Sequence, residues 1–179
     1  MLSWSAVLAD FDLDGHDELF IVNGETSPGN TPPVVMLSRG AELPYRELSP
    51  EIPCMDARGQ VASDLDGDGD PDVVIAQREG PLSIYENRGT PTAGWIGVTL
   101  HGQVSNRDGV GAVVTLRLAS GRTLMRVIGA GGVVHTASPV EAHFGFGADS
   151  VAAISVRWPS GTTSELLSPA TETTLVITE

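Results

Sequence analysis

The chain has 179 residues, and 10 Lys+Arg against 23 Asp+Glu give a formal charge of −13 and a pI near 4.5. That balance excludes a nucleic-acid-binding domain, which needs clustered cations for phosphates, and it excludes docking on anionic membranes. Hydrophobic residues at 41% can build a core in one domain or two small ones, whereas 21 Gly and 12 Pro would break long helices and suit short strands joined by tight turns.

Met1–Asp10 lacks a basic segment and meets an acid at once, so it does not read as a signal peptide, and the chain is open to being part of something longer. Strands are predicted from alternation and β-branched content near Ser5–Ala9, Leu19–Val22, Val34–Ser38 and Tyr45–Leu48. Residues 23–33 are turn chemistry throughout. A second set follows near Gln60–Ser63, Val73–Gln77 and Leu82–Glu86, with Trp95–Leu100 as its fourth member. The two sets are copies: Asp10 aligns with Asp64, a period of 54 residues, and each copy runs apolar strand, acidic glycine loop, apolar strand. A repeat of this length suggests a propeller blade. The lone cysteine, Cys54, excludes an intrachain disulfide and a cysteine-based zinc site. No stretch approaches the ~20 apolar residues of a membrane span.

From about residue 93 the acidic loops vanish. Strands are predicted at Ala112–Leu118, Thr123–Ile128, His143–Phe146, Ala153–Trp158, Thr163–Leu166 and Thr173–Ile177, with hairpin turns at Ser120-Gly121 and Pro159-Ser160-Gly161. No amphipathic helix is predicted. The expected fold is all-β: two propeller-blade-like repeats over residues 1–92, then a small antiparallel β-sandwich or barrel over 93–179.

The charge is a local property. Asp10, Asp12, Asp14, Asp17 and Glu18 fall in one nine-residue window, and Asp64, Asp66, Asp68, Asp70 and Asp72 in the other. Outside them 13 acids face 10 bases. At ~4–5 Å each carboxylate pair costs about 1 kcal/mol in water, so an ordered loop of this kind calls for a cation. The spacing D-x-D-x-D-G puts acids at alternate positions before a turn that Gly15 or Gly69 permits. His16 or Asp70 can add a backbone carbonyl, and Glu18 or Asp72 can close the shell. An all-oxygen set favours Ca²⁺, two ions in all, over Zn²⁺, Cu²⁺ or Mg²⁺. The loops are not EF-hands, because the twelfth positions are Ile21 and Ile75 rather than a bidentate Glu. In the first loop Leu13 stands where the second has Gly67, and Glu18 where the second has Asp72. The expected role of the ions is structural.

These residues resemble a known family. DFDLDGHDELFIVNG and ASDLDGDGDPDVVIAQREGPLSIYENRG are similar to FG-GAP/VCBS-type calcium repeats, the blades of integrin-like β-propellers. SNRDGVGAVVTLRL, HFGFG at 143–147 and VRWPSG at 156–161 resemble the ASPIC/UnbV domain, which ends proteins of the cartilage acidic protein family and many bacterial relatives. The resemblance implies an extracellular or cell-surface calcium-binding module, with a protein or glycan as partner. It carries calcium ligands onto Asp10, Asp12, Asp14 and Glu18 and onto Asp64, Asp66, Asp68 and Asp72, and no catalytic residue onto any position. Two blades cannot close a ring and would leave open edges, so the expectation is a C-terminal piece of a longer chain, blades that pack on the ASPIC-like domain, or self-association of chains. The alternative, from the UnbV association, is a calcium-dependent enzyme or accessory factor in enediyne-type biosynthesis.

Other signals point to structure. His101, His135 and His143 are irregularly spaced. G-x-S-x-G, HExxH and Walker A sequences are absent, and Gly129–Gly132 lacks the βαβ unit of a dinucleotide site. Arg107-Asp108 reads as a turn with Gly109 at positive φ. Trp95 and Trp158 read as core anchors. A carboxylate-pair glycosidase stays open, since its two acids need no local motif.

Overall fold

A computed structural model describes residues 3–24, 34–39, 42–48, 56–89, 93–130 and 138–179; of 34–39 and 42–48 it describes only the backbone. Cys54, His135 and most of the turn at 23–33 lie outside the described residues. Among the described residues every regular element is a strand, and no sheet closes into a barrel. Contacts divide the chain into two compact units. One comprises the described residues of 3–11 and 16–89 with Ser138; the other comprises 12–15, 93–130 and 139–179.

In the first unit, β1 (Ser3–Ala9), β2 (Glu18–Asn23), β3 (Val34–Arg39) and β4 (Glu42–Leu48) form an antiparallel meander, the connectivity of a blade. Alternation decides what β2 buries. Glu18, Phe20 and Val22 are the inward set, paired with Ala9, Val7 and Ser5 of β1. The carboxylate at 18 is therefore buried by register, in line with two core residues. The second copy is β5 (Ala57–Ser63), β6 (Asp72–Gln77) and β7 (Ser83–Tyr85), again antiparallel, with Ser63 opposite Asp72. One small core serves both copies: Phe20, Val22, Ala57, Val73 and Ile75 are buried together, with Val7, Phe11 and Tyr85 against them. Gln60 Nε2 donates to the Phe20 carbonyl at 2.8 Å, which ties β5 to β2.

Trp95–Leu100 is not the fourth strand of the second copy. It lies in β8 (Gly94–His101), in the second unit, and among the described residues the second copy has three strands. The local pattern of a strand is indifferent to its partners, and β8 finds its own in β11 and β14.

The second unit is a sandwich. Its sheets run in the order β10-β9-β12-β13 and β11-β8-β14, built from β9 (Val113–Leu118), β10 (Thr123–Val127), β11 (Ala142–Gly147), β12 (Val151–Arg157), β13 (Thr163–Leu167) and β14 (Thr174–Thr178). The inward rows of both sheets form a fifteen-residue core that includes Ile96, Val98, Leu116, Phe144, Ile154 and Trp158. The pairing is antiparallel except that β14 runs parallel to β8, which a crossover from β13 permits. Gly109 takes φ 63, as its turn requires, and Trp95 and Trp158 are 9% and 1% exposed. Trp158 Nε1 donates to Ser164 Oγ at 2.9 Å, so its polar edge is satisfied inside the core.

The end of β14 is tied down by a carboxylate. Glu179 Oε2 accepts from the N–H groups of Gln103, Val104 and Ser105 at 3.0, 2.8 and 2.6 Å. Its Oε1 accepts from the hydroxyls of Ser105, Ser160 and Thr162 at 2.9, 2.5 and 3.2 Å. Desolvation alone would raise the Glu179 pKa, but the Ser160 hydroxyl and the donors at Ser105 and Val104 outweigh it and hold it at about 2.

Candidate metal centres

The β1–β2 and β5–β6 connections are built alike. Each leaves its strand on an Asp, turns through a glycine at positive φ (Gly15 at 91° and Gly69 at 101°), and re-enters a strand on an acid. In both, the closing acid accepts from the backbone seven residues earlier: Phe11 N–H donates to Glu18 Oε2 at 2.8 Å, and Leu65 N–H to Asp72 Oδ2 at 3.0 Å. Those donors are themselves 54 residues apart, the sequence period. Glu18 and Asp72 are 0% and 3% exposed.

Carboxylate oxygens of Asp10, Asp12 and Glu18 lie within 4.8 Å of one another, and so do those of Asp64, Asp66 and Asp72. Asp10 is 3% exposed, whereas Asp12 and Asp66 face solvent. Asp14 and Asp68, the third alternate acids, do not fall in these groups, nor do the side chains of His16 and Asp70. Three hard oxygen donors per loop match the donor preference of a calcium ion, while the carbonyls at 16 and 70 need no side chain to contribute.

The second loop is self-wired. Asp64 accepts from Gly67 N–H at 2.7 Å and Gly69 N–H at 3.0 Å; Asp66 accepts from Asp68 N–H at 3.3 Å, and Asp68 from Asp70 N–H at 3.2 Å. These are turn-forming Asx contacts, each pointing a carboxylate back into the loop. The Asp70 N–H favours the charged form of Asp68, yet desolvation and the carboxylates of Asp66 and Asp64 hold its pKa above the usual range. At Asp70, burial first, then Asp68, Asp72, Asp66 and Asp64, push the pKa up to about 6. Its Oδ1 is buried without a hydrogen-bond partner, and its Oδ2 occupies the space that a Cβ on Gly89 would fill. A divalent charge within the loop would relieve the repulsion that raises these values.

The first loop solves its turn differently. Leu13 takes φ 58 where Gly67 takes φ 84, and it is 3% exposed. A left-handed leucine costs about 1–2 kcal/mol, which burial of the side chain offsets. Residues 12–15 count with the second unit, where Gly147 N–H donates to the Leu13 carbonyl at 2.7 Å and Arg122 Nη2 to the Asp14 carbonyl at 2.7 Å.

The sequence reads Asn87–Ala93 as a linker or wide turn and gives Asn87 and Gly89 no part in the site. Asn87 N–H donates to Asp72 Oδ1 at 2.8 Å, its Nδ2 to the Phe11 carbonyl at 2.8 Å, and its Oδ1 accepts from Gly89 N–H at 3.2 Å. The only local signal was the turn-forming Asn-x-Gly in residues 87–89.

Comparison with known proteins agrees with the resemblance read from the sequence. Residues 102–179 match the family model described as ASPIC and UnbV, and residues 64–115 match an FG-GAP-like repeat, starting on the first acid of the second loop. Over 166 residues the chain is 30% identical to cartilage acidic protein 1 of Mus musculus and, separately, of Homo sapiens. It is 28% identical to that of Xenopus tropicalis over 165 residues. Each alignment covers 88% of this chain, and the chain spans about a quarter of the length of these relatives, 25% in each case.

Proposed function

We propose that this chain, which carries an FG-GAP-like repeat followed by an ASPIC and UnbV domain, is a calcium-stabilised, non-enzymatic module of an extracellular or cell-surface protein. The observation that carries the reading is the duplicated carboxylate cradle. Asp10, Asp12 and Glu18, and again Asp64, Asp66 and Asp72, bring oxygens within 4.8 Å, and each cradle is closed by a buried acid whose second role is to hold its own loop backbone. Calcium would supply the positive charge that lets these carboxylates stay close and ionised. Asp14 and Asp68, with the carbonyls of His16 and Asp70, are the further donors of the same two loops.

The relatives' name refers to cartilage, which supports an extracellular setting. A groove of about 370 Å³ in the second unit is lined by Phe146, Asp149, Pro169 and Glu172, among others. The Ser120 hydroxyl and Ser150 N–H hold the Asp149 carboxyl below its usual range, which suits a fixed anion better than a general acid.

Calorimetric titration of the metal-free chain with Ca²⁺ tests the proposal. Uptake of two ions is expected, falling to one in Asp66→Asn. A chain that takes up no calcium, or that binds two ions equally well after Asp66→Asn, contradicts it.

A further inference from the structure

We infer that the two acidic loops bind calcium cooperatively, and that Asn87 is the residue that couples them. The inference rests on the calcium reading above and adds regulation to it. Between the closing acids runs an unbroken set of short hydrogen bonds. Glu18 Oε2 accepts from Phe11 N–H at 2.8 Å; the carbonyl of that same Phe11 accepts from Asn87 Nδ2 at 2.8 Å; and Asn87 N–H donates to Asp72 Oδ1 at 2.8 Å. Asn87 and Phe11 are 76 residues apart in sequence, so this is tertiary wiring.

The amide orientation follows from its partners. Phe11 presents a carbonyl, which needs a donor, and Gly89 presents an N–H, which needs an acceptor, so Nδ2 faces Phe11 and Oδ1 faces Gly89. Reversal would break both bonds.

Coupling follows from what each bond positions. Asp72 accepts from Leu65 N–H on Oδ2 and from Asn87 N–H on Oδ1, so each oxygen of the closing carboxylate is positioned by one backbone donor. A cation in the second loop fixes that carboxylate, which fixes the Asn87 backbone, which sets where Nδ2 holds Phe11. Phe11 in turn sets the N–H to which Glu18 is anchored. Filling one loop thereby lowers the ordering cost of the other, and by linkage the effect runs equally in both directions. One relay of this kind is worth about threefold to tenfold in affinity. Asp70 adds a restraint at the same junction, because its carboxylate packs where Gly89 lacks a Cβ and so holds the 87–89 turn on the second loop.

The test is calcium calorimetry on the full chain, with native, Asp66→Asn, Asn87→Ala and Asn87→Ala/Asp66→Asn forms compared. In the native background, emptying the second loop with Asp66→Asn should weaken the first loop's Kd about threefold to tenfold. In the Asn87→Ala background the same change should leave the first loop's Kd unaltered. Asn87→Asp keeps the acceptor for Gly89 N–H and loses the donor to Phe11, so it should abolish the coupling as Ala does; if Asn87→Ala does not fold, the isosteric Asp variant carries the test. Coupling that persists in either Asn87 variant overturns the inference, because the shared core would then be the conduit. Independent sites in the native chain overturn it too. Either result leaves the calcium reading standing, whereas a native chain that takes up no calcium overturns both.

Discussion

All seven polar or charged side chains buried among the described residues lie between Ser5 and Asp72, and four of them are acids, whereas the fifteen-residue core of 93–179 is apolar throughout. The two units draw on different physics. In 93–179 the inward rows of two sheets supply the driving force by removing hydrocarbon from water. In the blade-like unit the inward row of β2 spends one of its positions on Glu18, and β6 begins on the buried Asp72. A buried carboxylate destabilises unless something compensates its charge. On the proposed calcium reading, the module that buries four acids ties its stability to a cation, while its neighbour does not.

The first way to break this contrast is a core truncation. Phe144→Ala should destabilise 93–179 by about 3–5 kcal/mol, equally with and without calcium. A calcium-dependent loss, read from chemical denaturation in both conditions, would show that the second unit leans on the ions too. Next in size, a free calcium concentration a hundredfold above Kd should stabilise the blade-like unit by about 2.7 kcal/mol per loop relative to chelator. Asp66→Ala should remove the second loop's share of that gain and, through the coupling, part of the first loop's. Glu165→Ala, which loses only an exposed pair with Arg117 at 3.7 Å, should stay within about 0.5 kcal/mol. Equal melting shifts for the two substitutions would mean the second loop is simply a solvated acidic turn.

Leu13→Gly sharpens the contrast between the loops. It relieves the left-handed backbone and gives up the buried side chain, for a net loss of about 1 kcal/mol in thermal melting. A clear gain in stability would show that the leucine's burial contributes little. A pH-dependent effect is expected at Glu179. Its folded pKa of about 2 lies below the ordinary 4.5, so its contribution is present in full above pH 4.5 and is lost as pH falls toward 2. Glu179→Gln should therefore lower the melting temperature at pH 7 and become indistinguishable from the native chain near pH 2. A difference that does not change across that window would show that the carboxylate's charge is not what holds β14.

Much of this was legible in the sequence, and the reasons differ by residue. Strands such as Val113–Leu118 declare themselves because a half-buried sheet imposes alternation. The two loops stood out because five acids in nine residues, twice at the same period, have few innocent explanations. Gly15 and Gly69 were legible as turn residues, and Leu13 as the odd member, since a left-handed position selects for glycine. What escaped was everything fixed by tertiary pairing. Trp95–Leu100 carries a good strand pattern and no record of which sheet it joins. The parallel register of β14 on β8, Asn87 reaching Phe11, and Glu179 reaching the Ser105 amide across 74 residues all join segments with no shared local signature.

Amide hydrogen exchange with and without a calcium chelator tests the central claim most directly. The account predicts that chelation strips protection from β1, β2, β5 and β6 and leaves β8, β9, β11 and β12 unchanged. Protection in β2 and β6 that is indifferent to the chelator, in a chain shown to start calcium-loaded, would contradict it.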